Sequence, residues 1–322
     1  MSMQARYLSL APLLLWQHIE RPIDWAQRFG RQAPLVVEIG FGNGEFLVRE
    51  AQAHPEHNFV GIEQEWASVQ RGLRRLAQAK VPNVRLLLVD ARIALERLFM
   101  PQTVQGVYAL FPCPWPKARH SKHRLFAQAF VTLLNSRLVP HGEVQMVTDH
   151  EPYLHWVLAE VPETGFVAHW TTIAPRFSTK YERKWCETGQ QEFYDLRLRK
   201  TIHVARPLIE DATLQTHRIE YFDPAHFQLG TRHGAITVTC KEFLYDARRQ
   251  KGMVWVLVAE AGLTQDFWIE IAHHGSTWTI RPARGCGIVP TVGVQCALDL
   301  VRNAAQQTVH DTAQQTVLAP GE

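Results

Sequence analysis

Short apolar runs alternate with amphipathic stretches over the first two hundred residues. Leu35-Val-Val-Glu38-Ile39 sets four apolar residues around one acid, Gly40-Phe-Gly42-Asn-Gly44 follows, and Glu45-Phe-Leu-Val-Arg-Glu-Ala begins a helical pattern. This predicts a buried strand running into a glycine loop that opens a helix. Further strands are expected at Asn58 to Glu63, Val84 to Asp90, Gly106 to Phe111, Glu143 to Thr148, Phe166 to Trp170 and Phe193 to Lys200. Helical patterns lie between them, up to about Ala53, from Ser68 to Lys80, from Leu125 to Leu138 and up to Val161. Strands alternating with helices in this way predict one α/β domain with a doubly wound sheet over residues 1–200.

The texture changes past Thr201. Ala235 to Cys240, Met253 to Val258, Asp266 to Ile271 and Ser276 to Ile280 read as short strands of a meander, followed by a helix near Gly293 to Ala304. A smaller α+β domain over 201–306 is expected, and the Gln-, Thr- and Ala-rich stretch 307–322 is expected to be a disordered tail. A length of 322 residues agrees with about two domains.

Composition narrows the function classes. With 46% hydrophobic and 20% charged residues the chain is an ordinary globular protein, and a net charge of +3 means that any nucleic-acid contact must come from local clusters. Five cysteines, with no C-x-x-C pair, argue against a disulfide framework and against a metal site, so reduced thiols and a cytoplasmic location are expected. The apolar leader Tyr7 to Trp16 is short and broken by Pro12, with no small-residue cleavage pattern, so neither a signal peptide nor a membrane span is expected.

The candidate chemistry gathers at strand ends. In the glycine stretch a carboxylate, Glu38, precedes Gly40, Gly42 and Gly44. A carboxylate there would repel a pyrophosphate but pair with the ammonium of S-adenosylmethionine, which ranks that cofactor ahead of a nicotinamide dinucleotide without excluding it. Glu63 falls about twenty residues beyond the glycine loop, where doubly wound folds place an acid on ribose hydroxyls. Asp90-Ala91 ends the third strand and Asp149 follows the fifth, so the acids share one rim of the sheet. After the fourth strand comes Pro112-Cys113-Pro114-Trp115-Pro116, a loop with few free dihedrals, and then six basic or His side chains from Lys117 to Arg124. An exposed aromatic beside clustered cations suits RNA, whose bases stack and whose phosphates seek Lys and Arg. Arg176, Lys180, Arg183 and Lys184 add a second basic cluster.

With these motifs in place, the first two hundred residues resemble the bacterial tRNA (guanine-N7)-methyltransferase family. The resemblance is carried by Trp25 to Gly30, Glu38 to Gly44, Gly61-Ile-Glu63, Asp90-Ala91, Phe111 to His120, Thr148-Asp149 with Tyr153, and Thr179-Lys180-Tyr181-Glu182. It implies a Rossmann-like class I methyltransferase fold, S-adenosylmethionine as methyl donor and a tRNA variable-loop guanine as acceptor. By position, Glu38, Gly40, Gly42, Gly44, Glu63, Asp90 and Ala91 fall to the cofactor, and Lys117, Arg119, Asp149, Thr179, Lys180, Tyr181 and Glu182 to the substrate. The family usually has Phe-Pro-Asp-Pro-Trp where this chain has Phe111-Pro-Cys113-Pro-Trp115. Cys113 and Asp149 are therefore the candidate catalytic positions, Asp149 or Glu182 is expected at the guanine edge, and a catalytically weakened RNA-binding homologue is the alternative reading. The region after Thr201 is expected to lie outside the resemblance; extra tRNA grip, a homodimer contact and simple stabilisation are all open for it.

Overall fold

The computed structural model describes residues 8–260 and 262–317, the side chains of Ala118 and 309–317 excepted. They divide into two compact units, Met1–Ile209 and Glu210–Glu322.

In the first unit, α1 (Trp25–Phe29) precedes a run of alternating elements: β1 (Leu35–Ile39), α2 (Glu45–Ala53), β2 (Asn58–Glu63), α3 (Trp66–Ala79), β3 (Val84–Leu88), α4 (Ala91–Arg97), β4 (Val104–Leu110), α5 (Gln128–Arg137), β5 (Leu138–Thr148), α6 (Glu151–Glu160), β6 (Phe166–Ile173), α7 (Lys180–Glu187) and β7 (Phe193–Lys200). They build a seven-stranded sheet in the order β3-β2-β1-β4-β5-β7-β6. The strands β1 to β5 run parallel to one another, and β7 runs antiparallel to both β5 and β6. Every residue of β1 is buried, which is why its sequence is a continuous apolar run interrupted only by Glu38. The chain leaves β1 toward β2 and β3, then crosses back so that β4 lies on the other side of β1. This reversal opens a crevice between the carboxyl ends of β1 and β4, the place where open parallel sheets bind ligands.

The apolar leader is an edge partner. Leu14 N donates to Leu86 O (2.9 Å) and Leu86 N to Pro12 O (2.8 Å), so 12–14 pairs with β3, while the buried Trp16 reaches Leu88 O with Nε1 (3.2 Å). Tyr7 lies outside the described residues.

The first unit ends at Ile209, past the expected boundary at 200. Two buried side chains of α5 hold the added stretch. Asn135 donates to Ile202 O and accepts from Val204 N (both 2.9 Å), and Arg137, 1% exposed, donates to Leu95 O (2.6 Å) and Arg206 O (2.8 Å).

The second unit contains β8 (His217–Ile219), β9 (Thr231–Arg232), β10 (Ile236–Asp246), β11 (Lys251–Glu260), β12 (Leu263–His274), β13 (Thr277–Pro282) and α8 (Val292–Val317). An antiparallel sheet in the order β8-β13-β12-β11-β10-β9 packs one face on α8, where Val294, Ala297, Leu298 and Val301 meet Val254, Val256, Ile269 and Ile280. The helix corrects one expectation: residues 307–317 are helical, not a disordered tail. Gln and Ala are good helix formers, no Gly or Pro interrupts them, and the packed turns before them have already met the cost of nucleation. Residues 318–322 of the expected tail lie outside the described residues.

Arg137 gives a direct test of the first unit's boundary. Replacing it by Met leaves buried carbonyls without a donor, so Arg137→Met should lower stability by about 3 kcal/mol in denaturant titrations.

Candidate active site

Glu38 sits at the end of β1, 3% exposed, and its Oε2 has no hydrogen-bond partner. Burial, with the charges of Glu50 and Glu63, pushes its pKa up to about 8, against the smaller pull of Arg49 and a hydrogen bond from the Leu47 backbone. The glycines that follow all have positive φ, at 72°, 54° and 70° for Gly40, Gly42 and Gly44. Side chains at Gly40 and Gly42 would meet almost nothing, whereas a Cβ on Gly44 would come within 3.2 Å of Gly72 Cα on α3. The first two thus line open space beside Glu38, and the third permits close helix packing. Glu63 Oε2 accepts from Gly42 N (3.0 Å) while its Oε1 accepts from Gln64 N (2.9 Å), so the acid at the end of β2 fastens the loop that follows β1. Gln64 Nε2 donates to Asp90 Oδ2 (2.7 Å), and Asp90 caps α4 by accepting from Arg92 N (2.7 Å). Ala91 is buried at the start of that helix.

Across the crevice, the loop after β4 is strained. Phe111 and Trp115 both have positive φ (57° and 43°), a conformation that bulky residues adopt only when their surroundings force it. Phe111 is held by donating its N to Val147 O (2.7 Å) and by burying its ring with Phe46, Phe177 and Phe193. Arg124 holds the other end, with Nε on Pro114 O (3.0 Å), Nη2 on Trp115 O (3.3 Å) and its guanidinium over the Trp156 ring at 4.9 Å. Arg92 Nη2 donates to Arg124 O (3.1 Å), which ties this loop to the helix capped by Asp90. Cys113 is exposed, close enough to act electrostatically on the buried Tyr153 phenol, whose pKa burial raises. Trp115, 36% exposed, lies against His120 and His123, with Lys117, Arg119 and Lys122 exposed beside it.

A third segment, 174–184, closes the same rim. Thr179 caps α7 by accepting from Glu182 N (3.2 Å), and the Glu182 carboxylate accepts from Arg176 N (2.8 Å), Phe177 N (3.0 Å) and Ser178 N. Phe177 O accepts from Arg49 Nη1 (2.6 Å) on α2, and Glu45 Oε1 accepts from Arg183 Nη2 (2.7 Å) and Arg75 Nη2 (3.2 Å). Arg176 Nη2 donates to Asp195 (2.8 Å), a buried acid on β7 that also accepts from Gln145 Nε2 on β5. Lys180 and Tyr181 are exposed. Asp149, at the end of β5, is half-buried; burial raises its pKa, while His150 and Lys184 pull it the other way.

The family model described as "Putative methyltransferase" matches residues 32–195. A tRNA (guanine-N(7)-)-methyltransferase of Thermotoga maritima is 37% identical over 82% of this chain and 87% of its own length. The Thermus thermophilus protein of the same name is 35% identical over 78% and 82%, and that of Chlorobium phaeobacteroides 42% identical over 52% and 82%. The chain belongs to the tRNA (guanine-N(7)-)-methyltransferase family. A match over 82% of the chain is more than the first unit alone can supply, so the Thermotoga similarity reaches into the second unit, correcting the expectation that the region after Thr201 lies outside the resemblance.

For a member of this family, several predicted roles shift in the structure. Glu182 is 3% exposed and its carboxylate is committed to three backbone amides, so it shapes the loop instead of offering a guanine-edge acceptor. Arg124, Arg176 and Arg183, read from sequence as phosphate ligands, brace the two loops through backbone carbonyls and buried or half-buried acids. No motif singles out Gln64, Arg92, Glu45 or Asp195, which link elements far apart in the chain. A positive φ at Phe111 is likewise invisible in a Phe-Pro dipeptide.

Glu38 carries a pH signature. Its folded-state pKa lies above the ordinary 4.5, so its contribution favours the fold while it is protonated and is lost as pH rises from 4.5 to about 8. Over that window the unliganded protein should lose about 3 to 5 kcal/mol relative to Glu38→Gln in denaturant titrations. A cation bound at Glu38 replaces that proton, so calorimetry at pH 7 should record release of about one proton on cofactor binding.

Proposed function

We propose that this protein transfers a methyl group from S-adenosylmethionine to N7 of a guanine in the tRNA variable loop, acting in the cytoplasm. The observation that carries the reading is the buried Glu38 carboxyl, its Oε2 without a hydrogen-bond partner, beside an open glycine cradle and across the crevice from a strained loop with an exposed Trp and cations. No helix among the described residues is long and apolar enough to cross a membrane.

S-adenosylmethionine supplies the methyl group on a sulfonium. Glu38 suits its ammonium, Glu63 has lone pairs left for ribose hydroxyls, and Asp90 with Ala91 borders the base side of the same rim. Guanine N7 already carries a lone pair, so the chain need not remove a proton. Its task is alignment, an effect that reaches about 7 to 11 kcal/mol in ideal cases. Positive charge grows on the purine as the methyl moves, and a carboxylate near its N1 and N2 edge stabilises that state more than the ground state. With Glu182 committed to the backbone, Asp149 is the carboxylate for this role. Trp115 offers a stacking face, Tyr181 and Thr179 frame the opposite wall, and Lys117, Arg119, Lys122 and Lys180 offer phosphate contacts.

Cys113 stands where the family usually has aspartate. A neutral thiol contributes little to a developing cation, and losing one charge-assisted hydrogen bond costs roughly 1.5 to 3 kcal/mol, about ten- to a hundredfold in rate.

Purified protein should transfer labelled methyl from S-adenosylmethionine to unmodified tRNA, with N7-methylguanine mapped by chemical cleavage. Asp149→Ala should cut kcat about tenfold or more with cofactor affinity unchanged, and Cys113→Asp should raise it. Cofactor binding without transfer, restored by Cys113→Asp, would select the weakened homologue; no cofactor binding would overturn the reading.

A further inference from the structure

In the second unit the sheet has one face under α8, built from Val254, Val256, Val258, Ile269, Ile271 and Ile280. Its other face carries the alternate residues of the same strands. Register places Trp255 opposite Trp268, Met253 opposite Glu270, Lys251 opposite Ala272, and Glu270 opposite Arg281. The indole rings of Trp255 and Trp268 stack with centroids 6.3 Å apart and planes 27° from parallel, and Trp255 is 37% exposed. Next to them lies a cleft of about 380 Å³ bordered by Arg249, Lys251, Arg281, Arg284, His274 and the acid Glu270.

Glu270 is 3% exposed and binds both Lys251 Nζ (2.6 Å) and Arg281 Nε (2.5 Å). One buried acid thus fixes two cationic heads on the sheet and leaves one surplus positive charge. Arg284 adds a second, and Arg249, its side chain 82% exposed, is only loosely tied to Asp246 at 3.7 Å. Trp255 lies two residues along the strand from Met253, which borders the cleft, a step of about 6.6 Å. That step is close to the spacing of successive nucleotides, so a base on Trp255 and a phosphate in the cleft can belong to one strand. Glu242 opposite Trp255 and Asp266 on β12 set the acidic limit of the patch, so the strand must run toward the arginines.

We infer that this sheet face is a second RNA-binding surface, taking an unpaired nucleotide of the tRNA substrate on Trp255 and its neighbouring phosphates between Arg249, Lys251, Arg281 and Arg284. The inference rests on the proposed function for the identity of the RNA. Charge favours RNA over a protein partner, since the cleft on the arginine side of the aromatic pair holds fixed cations, and stacking on a flat indole tolerates any base.

The test is the affinity of the full chain for unmodified tRNA, by filter binding at several salt concentrations, beside kinetics at saturating cofactor. Trp255→Ala should raise Kd and the KM for tRNA about tenfold, with Trp255→Phe keeping most of the affinity. Arg249→Ala with Arg284→Ala should lower the magnitude of the log Kd against log salt slope by between about one and two. Cofactor affinity and kcat at saturating tRNA should stay at the parent values in all three. Parent-like Kd and salt slope in the Trp255→Ala and double-arginine variants would overturn the inference while leaving the proposed function standing. Binding of tRNA by the parent without methylation would overturn the proposed function, and the variants would still decide the sheet face; no binding at all would overturn both.

Discussion

A parallel sheet covered by helices leaves polar chemistry one outlet, the carboxyl edge of its strands, and everything functional in the first unit follows from that constraint. The strand β1 is buried throughout, so Glu38 is forced into a desolvated position where one of its two carboxylate oxygens, Oε2, has no hydrogen-bond partner. The crossover that puts β4 on the far side of β1 opens a gap in that edge and sets the glycine loop against the Pro-Cys-Pro-Trp loop. Holding this acid protonated at neutral pH is a cost to the fold, and a cation seated beside it would offset that cost.

The opposite wall depends on bracing. Loops rich in Pro and basic residues have little tendency to hold a single shape, yet two of them are fixed by side-chain bonds to backbone atoms. Glu182 gathers three amides, Arg124 two carbonyls, and Phe111 and Phe177 enter one apolar cluster from either side. The basic residues therefore divide by mechanism. Those whose guanidinium finds a carbonyl or a buried acid shape the site, whereas Lys117, Arg119, Lys122 and Lys180 stay exposed on its rim.

Residues whose roles are local were legible in the sequence. The Glu38 to Gly44 stretch announces itself because strand, loop and helix are consecutive, and the acids at strand ends follow from strand periodicity alone. Roles that depend on strand order were not legible. Asp195 meets Gln145 only because β7 inserts next to β5, out of chain order. Glu182 was read as a ligand because an acid in a short motif looks the same whether it faces a substrate or three amides. The helical reach of α8 past residue 306 was missed because polar residues continuing an already packed helix carry no apolar period of their own.

Glu45 takes on a different meaning in this light. A single oxygen of its carboxylate joins Arg75 on α3 to Arg183 on α7, and Arg75 Nε also holds Asn43 O inside the glycine loop (3.1 Å). The two walls of the crevice are thus joined by ion pairs at the surface as well as by the buried cluster of Phe46, Phe111, Phe177 and Phe193 beneath them. Substitutions at Glu45, Arg75 or Arg183 would remove the ionic layer of that link and leave the apolar layer in place, so the crevice is held by two layers open to separate change.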